Sequence, residues 1–524
     1  MKKTVILSLI TTLLLAQTSF ADEQKNTYKL HLLHTNDLHS HFIPFKADGS
    51  TCSYENCRGG FDRIKSFIDS EREKNKDLVL LDAGDRFSGT VFFTLRKGKD
   101  MAPLMNQMNY DALNLGNHDF DGGLNELEKF VTQINAPILS SNVIFPENHS
   151  LNKTILPALV LHKNKKQIGI ISALSLDTKK ESAKADDIDL KNPIDTIKPM
   201  IEKLKSQGVN IIILLNHVGI EEDIKLAKEL SNIDIIVSAH SHTLLSNDPT
   251  EKEAKGAYPI IIKNKDDKNV LIVSAGIGGH HIGKLIADFD ENGEIISFEG
   301  NTIPIDNKIK PNPELNKMIS DIQKELDKEL NQKLFSTDEK IPLSRDGLFC
   351  SESCYIGEVL TDSLLTAAKK INPETDFAFL NAGGIRAGLP KGDITFEHIA
   401  QSYPFDSKAV IVTMKGSEIL SYLNYGLIHY IPNDRTNPFI QTAGIGYLFS
   451  ANEKRIIKTD IELSLDKEYK IVMPAFLANG GDGFKKATII QELPEKTIRE
   501  EVISVLSKNK IKPFENRIKK MFEK

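Results

Sequence analysis

The chain has 524 residues, too many for one core at about 150 per domain, so two large folding units are expected. Hydrophobic residues make up 40% and charged residues 26%, a globular balance that excludes a disordered, collagen-like or polytopic membrane chain. With 66 Lys+Arg against 72 Asp+Glu the formal charge is −6, which leaves no basic excess to hold a nucleic-acid polymer by counterion release.

Lys2 and Lys3 precede an apolar run over residues 5–15, and Ser19, Phe20 and Ala21 supply the small-residue cleavage site, so residues 1–21 read as a signal peptide. The rival is an uncleaved anchor, but the run is shorter than the roughly 20 residues a bilayer requires. An exported chain without a stable membrane anchor is expected. The periplasm is favoured over full secretion by the lysine-rich amino terminus and the lack of a sorting tail. Export also gives the four cysteines a reading: Cys52 with Cys57 and Cys350 with Cys354 form two close pairs, suited to short-loop disulfides. A four-cysteine zinc site is the alternative, although neither pair has the CxxC spacing of a zinc knuckle.

Over residues 22–305, short apolar runs each end in a polar cluster. Residues 30–33 lead to Asp37 and His39, 78–81 to Asp85, 112–115 to Asn117, 211–215 to His217, and 233–237 to His240 and His242. Runs of this length and β-branched content are buried strands. Helical spacing of apolar residues marks 61–74, 124–134 and 194–207 between them. The pattern predicts a layered α/β domain with polar residues gathered at the carboxyl ends of strands, where α/β sheets hold ligands.

Pro304, Pro311 and Pro313 punctuate a boundary, and Leu315, Met318, Ile319, Ile322, Leu326, Leu330 and Leu334 mark one face of a linker helix within 306–335. A coiled-coil partner for it would require more sustained heptads. A second α/β domain is expected over 336–524, with a helix near 356–370 and strands near 377–380, 410–414 and 469–473.

Carboxylate, imidazole and amide oxygen together suit two divalent cations of intermediate hardness, such as zinc, manganese or cobalt. Two such ions about 4 Å apart polarise water and draw charge from a phosphoryl oxygen, the requirement of in-line phosphoester hydrolysis. Any one of these histidines alone would read as a structural residue. The set, repeated at successive strand ends, carries the inference.

Asp37-Leu38-His39, Gly84-Asp85, Gly116-Asn117-His118-Asp119, Asn216-His217 and Ala239-His240-Ser241-His242 resemble the calcineurin-like metallophosphoesterase signature. With Asn117-His118-Asp119-Phe120-Asp121 and the C-terminal motifs, the chain resembles the exported 5′-nucleotidase and UDP-sugar hydrolase family. The resemblance implies Asp37, His39 and His242 on one metal, Asn117, His217 and His240 on the other, and Asp85 bridging. It implies His118 as the catalytic histidine and Asp121 as its carboxylate partner, against a plain loop or cap role for Asp121 before the helix at Leu124. Aspartate at 121 favours the 5′-nucleotidase branch over the branch acting on 2′,3′-cyclic nucleotides.

For the second domain the resemblance implies Asn381 and Arg386 as polar anchors for phosphate and ribose, Phe405 and Phe476 as two faces of a base clamp, and Asp482 on the ribose hydroxyls. The chain departs from the family pattern at 348–354, where an arginine is usual, and Arg345 just upstream stands in. Ser407 replaces an asparagine found in some members. The expected activity is removal of phosphate from nucleoside 5′-monophosphates, with UDP-sugars or NAD-type pyrophosphates as further substrates and hinge motion near the linker. The alternatives are a 2′,3′-cyclic phosphodiesterase with 3′-nucleotidase activity, a hydrolase of another sulfur or phosphorus ester, and a nucleotide-binding surface protein without turnover.

Overall fold

The computed structural model describes residues 27–45, 57–182, 184–343, 350, 353–429, 438–495 and 497–521. The expected signal segment, Cys52 and Arg345 lie outside the described residues.

The buried runs of the N-terminal half form two six-stranded sheets among the described residues. One runs in spatial order Ile295–Pro304, His281–Phe289, Tyr28–Thr35, Val79–Asp82, Ala112–Asn114 and Ile138–Leu139. The other runs Ile260–Lys263, Asn269–Val273, Ile235–Val237, Ile211–His217, Lys166–Leu174 and Ala158–Lys163. The first is parallel from Tyr28–Thr35 to Ile138–Leu139 and antiparallel at its other edge, and the second has a parallel centre with an antiparallel strand at each edge. Side chains alternate along each strand, and both faces are apolar. Ile211, Ile213 and Leu215 pack between the two sheets with Leu30, Leu32, Val79 and Leu81. Ile212 and Leu214 turn outward against the helices Pro193–Ser206 and Ile220–Glu229. Leu33, Leu80 and Leu113 do the same on the other side, under the helices Phe61–Lys74 and Leu124–Gln133. The layers are therefore helix, sheet, sheet, helix.

The linker helix spans Pro313–Leu330, started by the Asn312 side chain, which accepts from the backbone N–H groups of Glu314 and Leu315. Leu315, Ile319, Leu326 and Leu330 pack into the N-terminal core. Leu334 does not continue that face, contrary to expectation. The side chain of Asn331 donates to the Asp327 carbonyl at 2.8 Å and closes the helix, and Leu334 enters the strand Lys333–Thr337, paired with Gly392–Thr395.

The C-terminal half is built on a five-stranded mixed sheet in the order Ile440–Ala443, Thr375–Asn381, Glu468–Pro474, Ala409–Lys415 and Thr488–Glu492. The helix Tyr355–Ile371 packs across it. Cys350 and Cys354 are joined by a disulfide just ahead of that helix, with Cα atoms 5.4 Å apart, so their sulfurs are not thiolates available to zinc. No described helix is long and apolar enough to cross a membrane.

Candidate metal centre

The parallel pairing of Tyr28–Thr35 with Val79–Asp82 continues past the strand ends. The backbone N–H groups of Asp37, His39 and Ser40 donate to the carbonyls of Gly84, Asp85 and Arg86, each at 2.9 Å. Beyond this ladder the chain must turn sharply to aim side chains at one point. Asp37, His39, Asp85, His240 and His242 all take left-handed backbone, with φ between 46° and 77°. Such a conformation costs about 1 kcal/mol or more for each non-glycine residue, and it persists where surrounding structure fixes it.

These turns bring acceptors face to face. His39 Nδ1 donates to the Phe87 carbonyl at 3.2 Å, which leaves its Nε2 directed at His242 Nε2, 3.1 Å away. Asp85 Oδ2 lies 3.7 Å from His39 Nε2, and Asp37 Oδ1 lies 3.6 Å from His242 Nε2. Ligand atoms of Asp37, His39, Asp85 and His242 all lie within 4.8 Å of one another. On the other side of Asp85, His217 Nδ1 donates to the Ala83 carbonyl at 2.8 Å. Its Nε2 faces Asn117 Oδ1 at 3.1 Å and Asp85 Oδ2 at 3.2 Å, and His240 Nδ1 reaches the same Asn117 oxygen at 2.9 Å.

Such convergence of lone pairs needs a positive charge at its centre. Burial keeps His39 well below the usual imidazole range and lowers His240 to about 4, so both offer a lone pair. Burial also opposes charge on His217, but Asp85 overrides it and lifts that imidazole to about 9. Burial resists ionisation of Asp85, while His217 and His118 hold its carboxyl well below the ordinary carboxylate range. Two pockets of N and O donors sharing one ionised carboxylate fit two divalent cations.

Supporting bonds fix the donors. Asn36 donates to Asp37 Oδ2 and to the Gly276 carbonyl, both at 2.7 Å, and the His240 backbone N–H points at the Asp37 carboxylate at 3.2 Å. Arg86, fully buried, grips Asp82 at 2.7 Å, Asp119 at 2.6 Å and the Asn114 carbonyl at 2.7 Å. It thereby ties together the loops that deliver Asp85 and Asn117.

His118 stands at the open side of the cluster. Its backbone N–H donates to Asp85 Oδ1 at 2.8 Å, and its Nδ1 donates to Asp121 Oδ2 at 2.8 Å. Burial acts against its charge, but Asp121 and Asp85 outweigh that and raise it to about 10. Nε2 is the nitrogen left for a substrate.

In the C-terminal half, Asn381 donates to Asp482 Oδ2 at 2.8 Å, and the Arg386 guanidinium lies over the Phe405 ring at 5.4 Å. Burial raises Asp482, with Asn381 and Arg386 opposing the rise. Phe405 is 43% exposed, while Phe476 leans on the C-terminal core with its ring against Gly481. Beside Phe405, Asp406 pairs with Arg499 of its own half and with Lys97 of the metal-binding half. Of the expected binding residues, Phe405 thus sits on a segment that touches the other domain.

The family models agree with this division. Residues 30–244 match the calcineurin-like phosphoesterase model, and residues 339–488 match that of the 5′-nucleotidase C-terminal domain. The chain is 32% identical to the 5′-nucleotidase of Homo sapiens over 502 residues, which covers 90% of this chain and 87% of the relative. The chain belongs to the 5′-nucleotidase family. It is accordingly a metallophosphoesterase. The snake venom 5′-nucleotidase of Naja atra is 28% identical, covering 87% of this chain and 91% of the relative. The crystal structure of the 5′-nucleotidase precursor from Thermus thermophilus superposes with a TM-score of 0.74 at 28% identity, covering 95% of this chain and all of that one.

Within this 5′-nucleotidase family member, three residues near the site carry no signal that the motifs single out. Arg86 follows Gly84-Asp85 directly, and a lone charge there reads as surface until its buried partners are known. Asp119 stands inside a recognised motif without an assigned role, yet it pairs with Arg86 and accepts from the Gly116 backbone at 2.8 Å. Glu181 reaches to 3.5 Å from His240 Nε2 from a distant helical turn, Thr178–Glu181.

Proposed function

We propose that this protein removes phosphate from nucleoside 5′-monophosphates at a two-cation centre, with Asp37, His39 and His242 holding one ion, Asn117, His217 and His240 the other, and Asp85 both. The single observation that carries the reading is the pair of acceptor clusters meeting at Asp85, with His118 at their open side. When bound, the cations supply Lewis-acid polarisation of the phosphoryl oxygen and of water. Asp121 holds His118 by Nδ1, so Nε2–H can pass a proton to the ribose oxygen as its bond to phosphorus breaks. Arg386 offers a planar fork to phosphate oxygens, Asn381 and Asp482 face the ribose, and Phe405 and Phe476 clamp the base.

The donor set suits zinc, with manganese or cobalt as substitutes. UDP-sugars and NAD-type pyrophosphates are further substrates of the same centre, since their scissile bonds are also phosphoryl to oxygen. The chain acts outside the cytoplasm, in the periplasm. The metal domain ends near 305 and the nucleotide domain begins near 336. Because the two halves of the site are on different domains, turnover requires them to move about the linker, with the Lys97–Asp406 pair breaking and reforming.

Metal-stripped protein reloaded with zinc, manganese or cobalt and offered AMP, UDP-glucose, NAD and 2′,3′-cyclic AMP tests the reading. Phosphate release from AMP with at least one metal is expected. Preference for the cyclic ester would move the protein to the 3′-nucleotidase branch, and silence on every substrate would leave a binding protein.

A further inference from the structure

The Ser88 hydroxyl stands beside the His118–Asp121 pair. Ser88 Oγ donates to Asp121 Oδ2, the same oxygen that accepts from His118 Nδ1 at 2.8 Å. Ser88 has φ 63°, a left-handed conformation that disfavours residues other than Gly, Asn and Asp. The loop cannot easily relax. Gly89, at φ 89°, lies so close to His39 that an added Cβ would sit 2.7 Å from the His39 carbonyl oxygen, and Thr90 donates to the Ser40 carbonyl at 2.9 Å. The loop that passes under His39 therefore presents the Ser88 hydroxyl to Asp121 in one position.

The carboxylate needs that restraint. The terminal torsion of aspartate is broad and roughly two-fold, so one hydrogen bond to an imidazole does not fix it. A second cation, Lys184, lies within electrostatic reach of Asp121 and beside Gly123. Without Ser88, Asp121 is free to rotate towards Lys184 and away from the histidine.

We propose that Ser88 is a positioning residue: by holding Asp121 Oδ2 on His118 Nδ1, it keeps Nε2 aimed at the leaving oxygen. The inference rests on the reading of His118 as the group that protonates that oxygen. Its effect is confined to turnover of substrates whose leaving group needs a proton.

The test compares S88A, S88G and S88N in the metal-loaded full chain, with H118A as reference, on AMP and on p-nitrophenyl phosphate, whose leaving group departs without protonation. S88A should lose about tenfold in kcat on AMP, the worth of one hydrogen bond to a charged group, with KM and bound metal unchanged. S88G should lose as much although it relieves the backbone, which separates the hydroxyl from any folding defect. S88N tolerates the left-handed backbone and offers an N–H donor, so it should recover most of the loss. On p-nitrophenyl phosphate all three should match the parent within about twofold. Full AMP turnover by S88A, equal losses on both substrates, or no recovery in S88N would overturn the proposal while leaving the metal-centre reading intact. Full AMP turnover by H118A would overturn the proposal together with the reading of His118 as the proton donor.

Discussion

Gly116 gives the sharpest perturbation of the metal centre. Its φ of −110° and ψ of 165° are ordinary extended values open to any residue, so glycine is not required there by backbone conformation. Space requires it. A Cβ at this position would lie 2.1 Å from Asp85 Oδ1 and 2.2 Å from the Asp85 backbone nitrogen, where ordinary contact begins at 3.4 Å. In Gly116→Ala the two loops must part by about 1.2 Å, and misplacement of reacting groups by about 1 Å costs on the order of 100-fold in rate. Asp85 belongs to both acceptor clusters, so both ions should be weakened together. Elemental analysis after dialysis against a weak chelator, alongside phosphate release from AMP, measures both effects. We expect substoichiometric metal and turnover reduced by about 100-fold, partly restored by excess metal. Parent-like metal content and turnover in this variant would refute the packing argument and the shared role of Asp85.

Arg86→Met should destabilise the protein by about 3–5 kcal/mol in urea unfolding, because Asp82 and Asp119 would stay buried without their counter-charge; a loss under about 1 kcal/mol would contradict the pairing. Lys97→Ala removes a partly exposed ion pair between the halves. It should shift the balance of domain arrangements by up to about fivefold, read by energy transfer between labels on the two domains, and an unchanged distribution would deny the pair that role. Burial pushes Asp234 up to about 7 from an ordinary 3.8, with Glu294 adding to the rise against a backbone hydrogen bond from Ile212. The folded protein then holds a proton that the unfolded chain releases first, so stability present below pH 3.8 is lost as pH rises through about 7. Asp234→Asn, which can still accept from Ile212, should melt increasingly above the parent between pH 5 and 8 in thermal scans; a pH-independent gap would argue against the buried proton.

Much of the fold was legible because burial writes itself twice in an α/β sequence. The run at 211–215 announces a strand, and the polar residues after it announce the strand end; the helix expected at 61–74 is the helix Phe61–Lys74. The convergence of Asp37, His39, Asp85, Asn117, His217, His240 and His242 was legible from chemistry, since few other purposes gather aspartate, asparagine and histidine at successive strand ends. The number of sheets was not. Ile211 and Ile212 are equally apolar, and nothing local says that one faces a second sheet and the other a helix. Leu334 kept the helical spacing, but the Asn331 cap and pairing with a strand some 60 residues on overrode it. The left-handed turns at five donor residues were hidden too, since Asp and His can adopt that backbone but, unlike Gly, do not by themselves mark it in a sequence. Arg86 and Ser88 act through partners distant in sequence, and only the folded chain brings those partners together.

Hydrolysis at this site would need two cations that share Asp85. The most direct test is a titration of metal-stripped protein with manganese, following bound metal and phosphate release from AMP in the same samples. Two equivalents should bind, turnover should rise with the second, and Asn117→Ala should retain one equivalent and little activity. Full turnover at one equivalent, or two tight sites in Asn117→Ala, would contradict that requirement.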